Sequence, residues 1–213
     1  MRKLVIGIVV GVLVLGTARL LLAPLNKVTH HHANWLITVD GAPVDLSGDR
    51  FMEEIAACSG SDEGILPSQR IHMHEGEDAI VHVHHTGATW GHLMMNLGLA
   101  IGDDYMMLGP GPVEGMDSAP PDGRFFESRE DEHRLVFILN GFAVPTIQNR
   151  VVDSEDRLLV AWTDQPVDAV MAELYPSVAS NAGQYNEMMD PASCSGGHGD
   201  LPFLERLKLA FWG

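Results

Sequence analysis

Positive charge is what this chain has least of. Of its 13 lysines and arginines, four (Arg2, Lys3, Arg19 and Lys27) fall within the first 27 residues, which hold no acidic side chain. The rest of the chain sets nine basic residues against all 29 acidic ones. Such a surface repels phosphates and excludes a DNA- or RNA-binding role, while it suits cations or a basic partner. Catalytic signatures are missing too. The sequence has no nucleophile elbow, P-loop or dinucleotide fingerprint, and its acidic clusters, Asp103-Asp104 and Glu130-Asp131-Glu132, have the composition of a solvated face. No enzyme and no catalytic residue are expected. Cysteine occurs only at Cys58 and Cys194. Outside the cytoplasm such a pair is more often a disulfide than two thiols. Closing so long a loop contributes on the order of 4 kcal/mol in the chain-entropy model. The bridge would pin the Ser193–Gly199 tail to the first half of the chain. The other reading makes one cysteine a metal ligand.

Long apolar runs are also scarce, and the one present is informative. Residues 4–25 are apolar except for Thr17, Arg19 and a few small residues, and they follow Arg2-Lys3. A cleaved signal peptide would use Gly16-Thr17-Ala18 as its site, but the apolar run resumes from Leu20 to Ala23. A span of roughly 20 apolar residues is what a membrane-crossing helix needs, with Arg19 reaching toward the interface. Residues 1–27 are therefore expected to be a single-pass anchor, with Leu4, Val9, Leu13 and Leu22 among the residues that form it. The basic flank places the N-terminus on the cytoplasmic side of the inner membrane and the remaining domain in the periplasm.

A hydrophobic share of 46 % and four Trp indicate a packed domain over residues 28–199. Asp40-Gly41 between Trp35–Val39 and Ala42–Leu46, and Asn140-Gly141 between His133–Leu139 and Phe142–Ile147, predict two similar hairpins. Ser47 is placed to cap a short helix through Ile55, and Thr89 one from Trp90 to about Leu99. Residues 102–133, rich in Gly, Pro and acidic groups, read as a long loop with at most a short strand. Arg157–Trp162 is a further strand, and Val167–Tyr175 a short helix ended by Pro176. The pattern predicts an α+β domain with one mixed sheet. In the last segment, residues 200–213, Leu204, Leu207 and Phe211 share a helical face suited either to core packing or to a membrane or partner helix.

The chain is rich in histidine, with 11 in all. Arg70–His74 and Ile80–His84 read as a hairpin across the turn Glu75–Asp78. Alternate residues of a strand share a face, so His72, His74, His82 and His84 meet on one surface. His30–His32 are positioned to approach it. Imidazoles at that density are what copper, zinc or nickel sites use, and Met73, Met94, Met95, Met106 and Met107 would tilt the choice toward copper. Without an ion, the same histidines would hydrogen-bond to one another, to Thr86 and to carboxylates.

The stretches His31–Leu46, Ile71–Gly98 and Phe137–Trp162 resemble a group of single-span extracytoplasmic proteins of uncertain function. Its members show a His-x-His pattern on both sides of a short acidic turn, then a Thr-x-Gly entry into a helix. Here that entry reads Thr86-Gly87-Ala88-Thr89. The last stretch also resembles the closing half of a β-grasp fold. The resemblance implies fold and location more than chemistry. Two roles fit the whole sequence. One is a non-enzymatic accessory subunit packed against a larger inner-membrane energy-transducing complex, respiratory or photosynthetic. The other is a periplasmic copper-binding or copper-delivery protein in which His72, His74, His82 and His84 hold a copper or zinc ion.

Overall fold

The structure is a computed structural model that describes residues 30–53, 70–109, 124–129 and 132–187, together with residue 11 and residues 15–17. The expected anchor, both cysteines and the amphipathic tail lie outside the described residues or almost wholly so. Among the described residues no helix is long and apolar enough to cross a membrane. By contacts the chain divides into two units, residues 1–28 with 197–213, and residues 29–196.

The second unit is α+β. Its centre is a mixed seven-stranded sheet in the order β3-β4-β1-β10-β8-β9, with β2 also paired to β1. The strands are β1 (His31–Val39), β2 (Ala42–Pro43), β3 (Ile71–His72), β4 (Ile80–Val83), β8 (Arg134–Leu139), β9 (Phe142–Val144) and β10 (Arg157–Thr163). Strand β1 runs parallel to β10 and antiparallel to β4, so the first and last strands sit side by side at the middle of the sheet. Both predicted hairpins form. Asp40 and Gly41 have φ of 51° and 79°, and Asn140 and Gly141 have 53° and 79°. Two successive residues at positive φ make the turn whose twist matches that of its strands, and the second position favours glycine.

One face of the sheet is apolar apart from His31 at the start of β1. Trp35 and Ile37 of β1, Val81 and Val83 of β4, Leu158 and Val160 of β10 and Phe137 of β8 pack there. Helix α1 (Trp90–Asn96) covers this face with Trp90, Leu93 and Met94. Its start is closed by a reciprocal cap. The His92 backbone N–H donates to Thr89 Oγ1 at 3.2 Å, and the Thr89 N–H donates to His92 Nδ1 at 3.1 Å. The helix ends at Asn96, three residues short of the sequence expectation, where the chain turns through Gly98 at φ 70°.

The opposite face is divided. Over β8 and β10 it is apolar, with Val136, Ile138, Leu159 and Ala161 under Val170 and Val178. Val170 belongs to, and Val178 directly follows, a helical run that begins as α2 (Val167–Ala169), widens into a π turn (Val170–Leu174) and closes as a 3-10 turn (Tyr175–Ser177). Arg157 locks this run to the sheet: its guanidinium donates to the carbonyls of Ala179 and Val178 and lies over the Tyr175 ring. Over β1, β4 and β3 the same face carries histidines, and α3 (Ala182–Glu187) packs beside β1 there. Asn34 marks the border. Its Nδ2 donates to Ala79 O and Asn181 Oδ1, and its Oδ1 accepts from the Ala182 N–H.

Two expectations are corrected. Residues 102–133 are not simply a loop, because β6 (Tyr105–Leu108) and β7 (Arg124–Glu127) pair with each other, and β5 (Ala100–Ile101) with β6, as a small antiparallel sheet. Met106 and Leu108 turn into the main core from it. Ser47 does not cap a helix. Its hydroxyl donates to Asp45 Oδ1 at 2.7 Å, and the turn that follows is a single 3-10 turn, Asp49–Phe51, with Gly48 before it.

Candidate metal centre

The strand register assembles the histidines. His82 of β4 is flanked by His32 of β1 on one side and His72 of β3 on the other. His84 lies just past the end of β4 and His30 just before β1, one rung further in the same direction. His74 follows β3 and lies one rung the other way. Six imidazoles from three strands therefore share one face, because all six sit at positions of the same parity. His32, His72, His74 and His82 are buried, and His30 and His84 partly so. Ring centres are 4.6 Å apart for His30 and His84, 4.4 Å for His32 and His82, and 3.7 Å for His74 and His82. His72 stacks on His84 at 4.9 Å.

Among the described residues, one group offers three donor atoms within 4.8 Å of one another: His30, His82 and His84. Nitrogens bound at about 2.0–2.1 Å to a tetrahedral ion lie about 3.3 Å apart, so a modest inward rotation of three rings closes this triad on an ion. His82 and His84 were expected in such a site. His30 joins them, while His72 and His74 stand on the same face beside the triad. Two buried nitrogens, Nε2 of His84 and Nδ1 of His74, have no hydrogen-bond partner among the described residues. Buried polar atoms are seldom left so, and a cation is the partner that suits a lone pair.

Electrostatics favours the neutral, ligating form. Burial, followed by the charges of His74, His32, His72 and His84, pushes the His82 pKa far below the usual histidine range. Burial, followed by the neighbouring His72, His30, His32 and His74, lowers His84 to about 2. Neutral rings present lone pairs at pH 7 with no bound proton to displace from the ligating nitrogen.

The tautomer of one ring follows from its partners. Asn186 Oδ1 accepts from the His32 backbone N–H at 2.8 Å and contacts His32 Nδ1 at 2.9 Å. A backbone N–H only donates, so the amide oxygen must face it, and His32 Nδ1 must then carry the ring proton. His32 Nε2 presents its lone pair to His82 Nδ1 at 2.9 Å. His74 Nε2 reaches the same His82 Nδ1 at 3.1 Å. One proton on His82 Nδ1 cannot serve both contacts well, and a lone pair there opposes that of His32. Asn186 was not singled out in the sequence, where nothing marks an asparagine so far along the chain as a partner of His32. His30 and His32 carried a usable signal, since they alternate like the other pairs. Starting the first strand at Trp35 instead of His31 hid it.

The remaining described histidines are engaged elsewhere. His31 reaches Val152 O on the opposite face, His85 donates to Thr86 O, His92 caps α1, and His133 pairs with Asp40 at 2.6 Å. The methionines do not contribute sulfur to the site. Met73, Met94 and Met106 are buried in the core on the other side of the sheet, Met95 is exposed and Met107 is on β6. The donor set is all imidazole, which removes the thioether argument for copper over zinc. No family model matches the chain, and neither does any curated protein or solved structure.

Proposed function

We propose that residues 29–196 form a non-enzymatic metal-binding domain that holds a copper or zinc ion on the histidine face of its sheet. The observation that carries this reading is the convergence of His30, His82 and His84, whose donor atoms lie within 4.8 Å of one another. Drawn from two distant places in the chain, they would tie the start of β1 to the end of β4, and binding would add directly to fold stability. Residues 1–27 act as a single-pass anchor in this proposal, with the domain on the periplasmic side of the inner membrane. That location rests on the apolar span and its basic flank.

The test is elemental analysis of the full chain, extracted in detergent and purified without an affinity tag, beside His82→Asn and His84→Asn variants. Bound copper or zinc that is lost in His82→Asn and at least reduced in His84→Asn is expected. A metal-free wild type that also fails to take up either ion on titration would refute the proposal.

A subunit role in an inner-membrane energy-transducing complex is the second reading, and one observation favours it. Strand β9 is an edge of the main sheet, and its Phe142 is 73 % exposed. An edge that no strand of the described residues pairs, carrying a large exposed apolar side chain, suits the addition of a partner strand. This role predicts stoichiometric co-purification with a membrane complex that is lost in Phe142→Lys.

A further inference from the structure

The histidine face offers more donors than one ion takes. A four-coordinate zinc or copper site uses four ligands at most from the protein, and six imidazoles lie here within one patch. They are also spread along the strands. With His82 as the reference rung, His30 and His84 lie one rung to one side and His74 one rung to the other. Two residues of strand advance about 6.6 Å, so the His74 backbone and the His84 backbone are separated by roughly twice that distance.

The two ends meet at His82. Its Nδ1 is turned to His32 Nε2 at 2.9 Å and His74 Nε2 at 3.1 Å. Those separations are close to the nitrogen–nitrogen spacing of about 3.3 Å around a tetrahedral ion. His32 arrives with its proton fixed on the far nitrogen by Asn186, the arrangement that aims a ligating lone pair. In an imidazole the two nitrogens point apart, and Nδ1 of His82 is the one turned to His32 and His74. His30 and His84, which join His82 in the triad, lie one rung from it on the side opposite His74.

We infer that the cluster is a two-ion centre in which His82 is the shared ligand, with His32 and His74 on its Nδ1 side and His30 and His84 on its Nε2 side. The inference rests on the metal-binding reading above and extends it. A ring that binds through both nitrogens is an imidazolate. Neutral His82 carries one N–H, and the second ion takes that nitrogen only as its proton leaves to solvent, so loading the second site releases that proton. Two bonds of about 2 Å plus the width of the ring place the ions about 6 Å apart.

Copper(II) gives a decisive readout, because two such ions joined by an imidazolate couple their spins and lose their ordinary paramagnetic resonance signal. The experiment titrates the full chain in detergent with copper(II), then removes weakly held ion by gel filtration. Copper per chain is measured by elemental analysis and the resonance signal is integrated. Two ions per chain with most of the signal suppressed are expected. His74→Asn and His84→Asn should each retain one ion with its full signal, since each leaves one side of His82 intact. One ion per wild-type chain with a full signal would overturn the two-ion centre and leave the metal-binding reading standing. Two ions with a full signal would overturn the sharing of His82. No retained copper would overturn both this inference and, once zinc is also tried, the reading beneath it.

Discussion

Acidifying the metal-free chain from about pH 7 to about pH 5 should cost the domain at least about 2 kcal/mol of folding stability. The magnitude comes from the burial of the histidine face. His84 has a pKa of about 2 in the folded chain against 6.5 for an exposed histidine. Between those values the unfolded chain binds a proton that the folded chain refuses, so acid favours unfolding. The stability is fully present above 6.5, begins to fall as the pH drops through that value, and falls by about 1.4 kcal/mol per unit until the folded pKa is reached. At about pH 5 the deficit from this one ring is about 2 kcal/mol. His82 is shifted in the same direction and further, so the two together approach about 4 kcal/mol, a large share of a typical domain's 5–15 kcal/mol. The groups facing these rings are His30, His32, His72 and His74, with Glu75 4.0 Å from His74 Nδ1. Urea unfolding followed by fluorescence of the buried Trp35 and Trp90 would read the change. With a slope of about 2 kcal/mol per molar, the midpoint should fall by roughly 1–2 M. In His84→Asn the pH dependence should be about half as steep. Equal midpoints for the wild type at the two pH values would refute the reasoning, because they would mean that the cluster accepts protons as readily as exposed histidines do.

Two further outcomes test how the site is built. Asn186→Ala removes the acceptor of both the backbone N–H and the Nδ1–H of His32. It should cost about 1–3 kcal/mol and leave His32 a mixture of tautomers, seen in the nitrogen chemical shifts of its ring; an unchanged single tautomer would show that Asn186 does not set it. Ile138→Ala empties a fully buried site in the apolar half of the same face. It should lower stability by about 2–5 kcal/mol with metal content unchanged, as measured by urea unfolding and elemental analysis; a loss of metal would show that the two halves of the face are not independent.

Much of the local structure was legible because its causes are local. Asp40-Gly41 and Asn140-Gly141 specify their turns through the positive φ that each pair adopts. Thr89 caps α1 through atoms three residues away. The alternation of a strand put His72, His74, His82 and His84 on one face before any partner strand was known, since parity needs only the backbone. The same parity sends Met73 to the core, away from the histidine face.

What only the tertiary structure decided is which strands are neighbours. The parallel pairing of β1 with β10 and the placing of β4 beside β1 join residues far apart in the chain, and no periodicity within a segment encodes that choice. That placement adds His30 and His32 to the four predicted rings. It also brings Asn186, 154 residues further on, to fix a proton on His32. The small sheet of β5, β6 and β7 was hidden because its strands are short and separated by Gly- and Pro-rich sequence. By itself the sequence determined that histidines would gather on a strand face. The sheet order decided that six would gather, that four of them would be buried, that burial would hold His82 and His84 neutral, and that His82 would lie at their centre, because burial and pairing belong to the assembled sheet and to none of its strands alone.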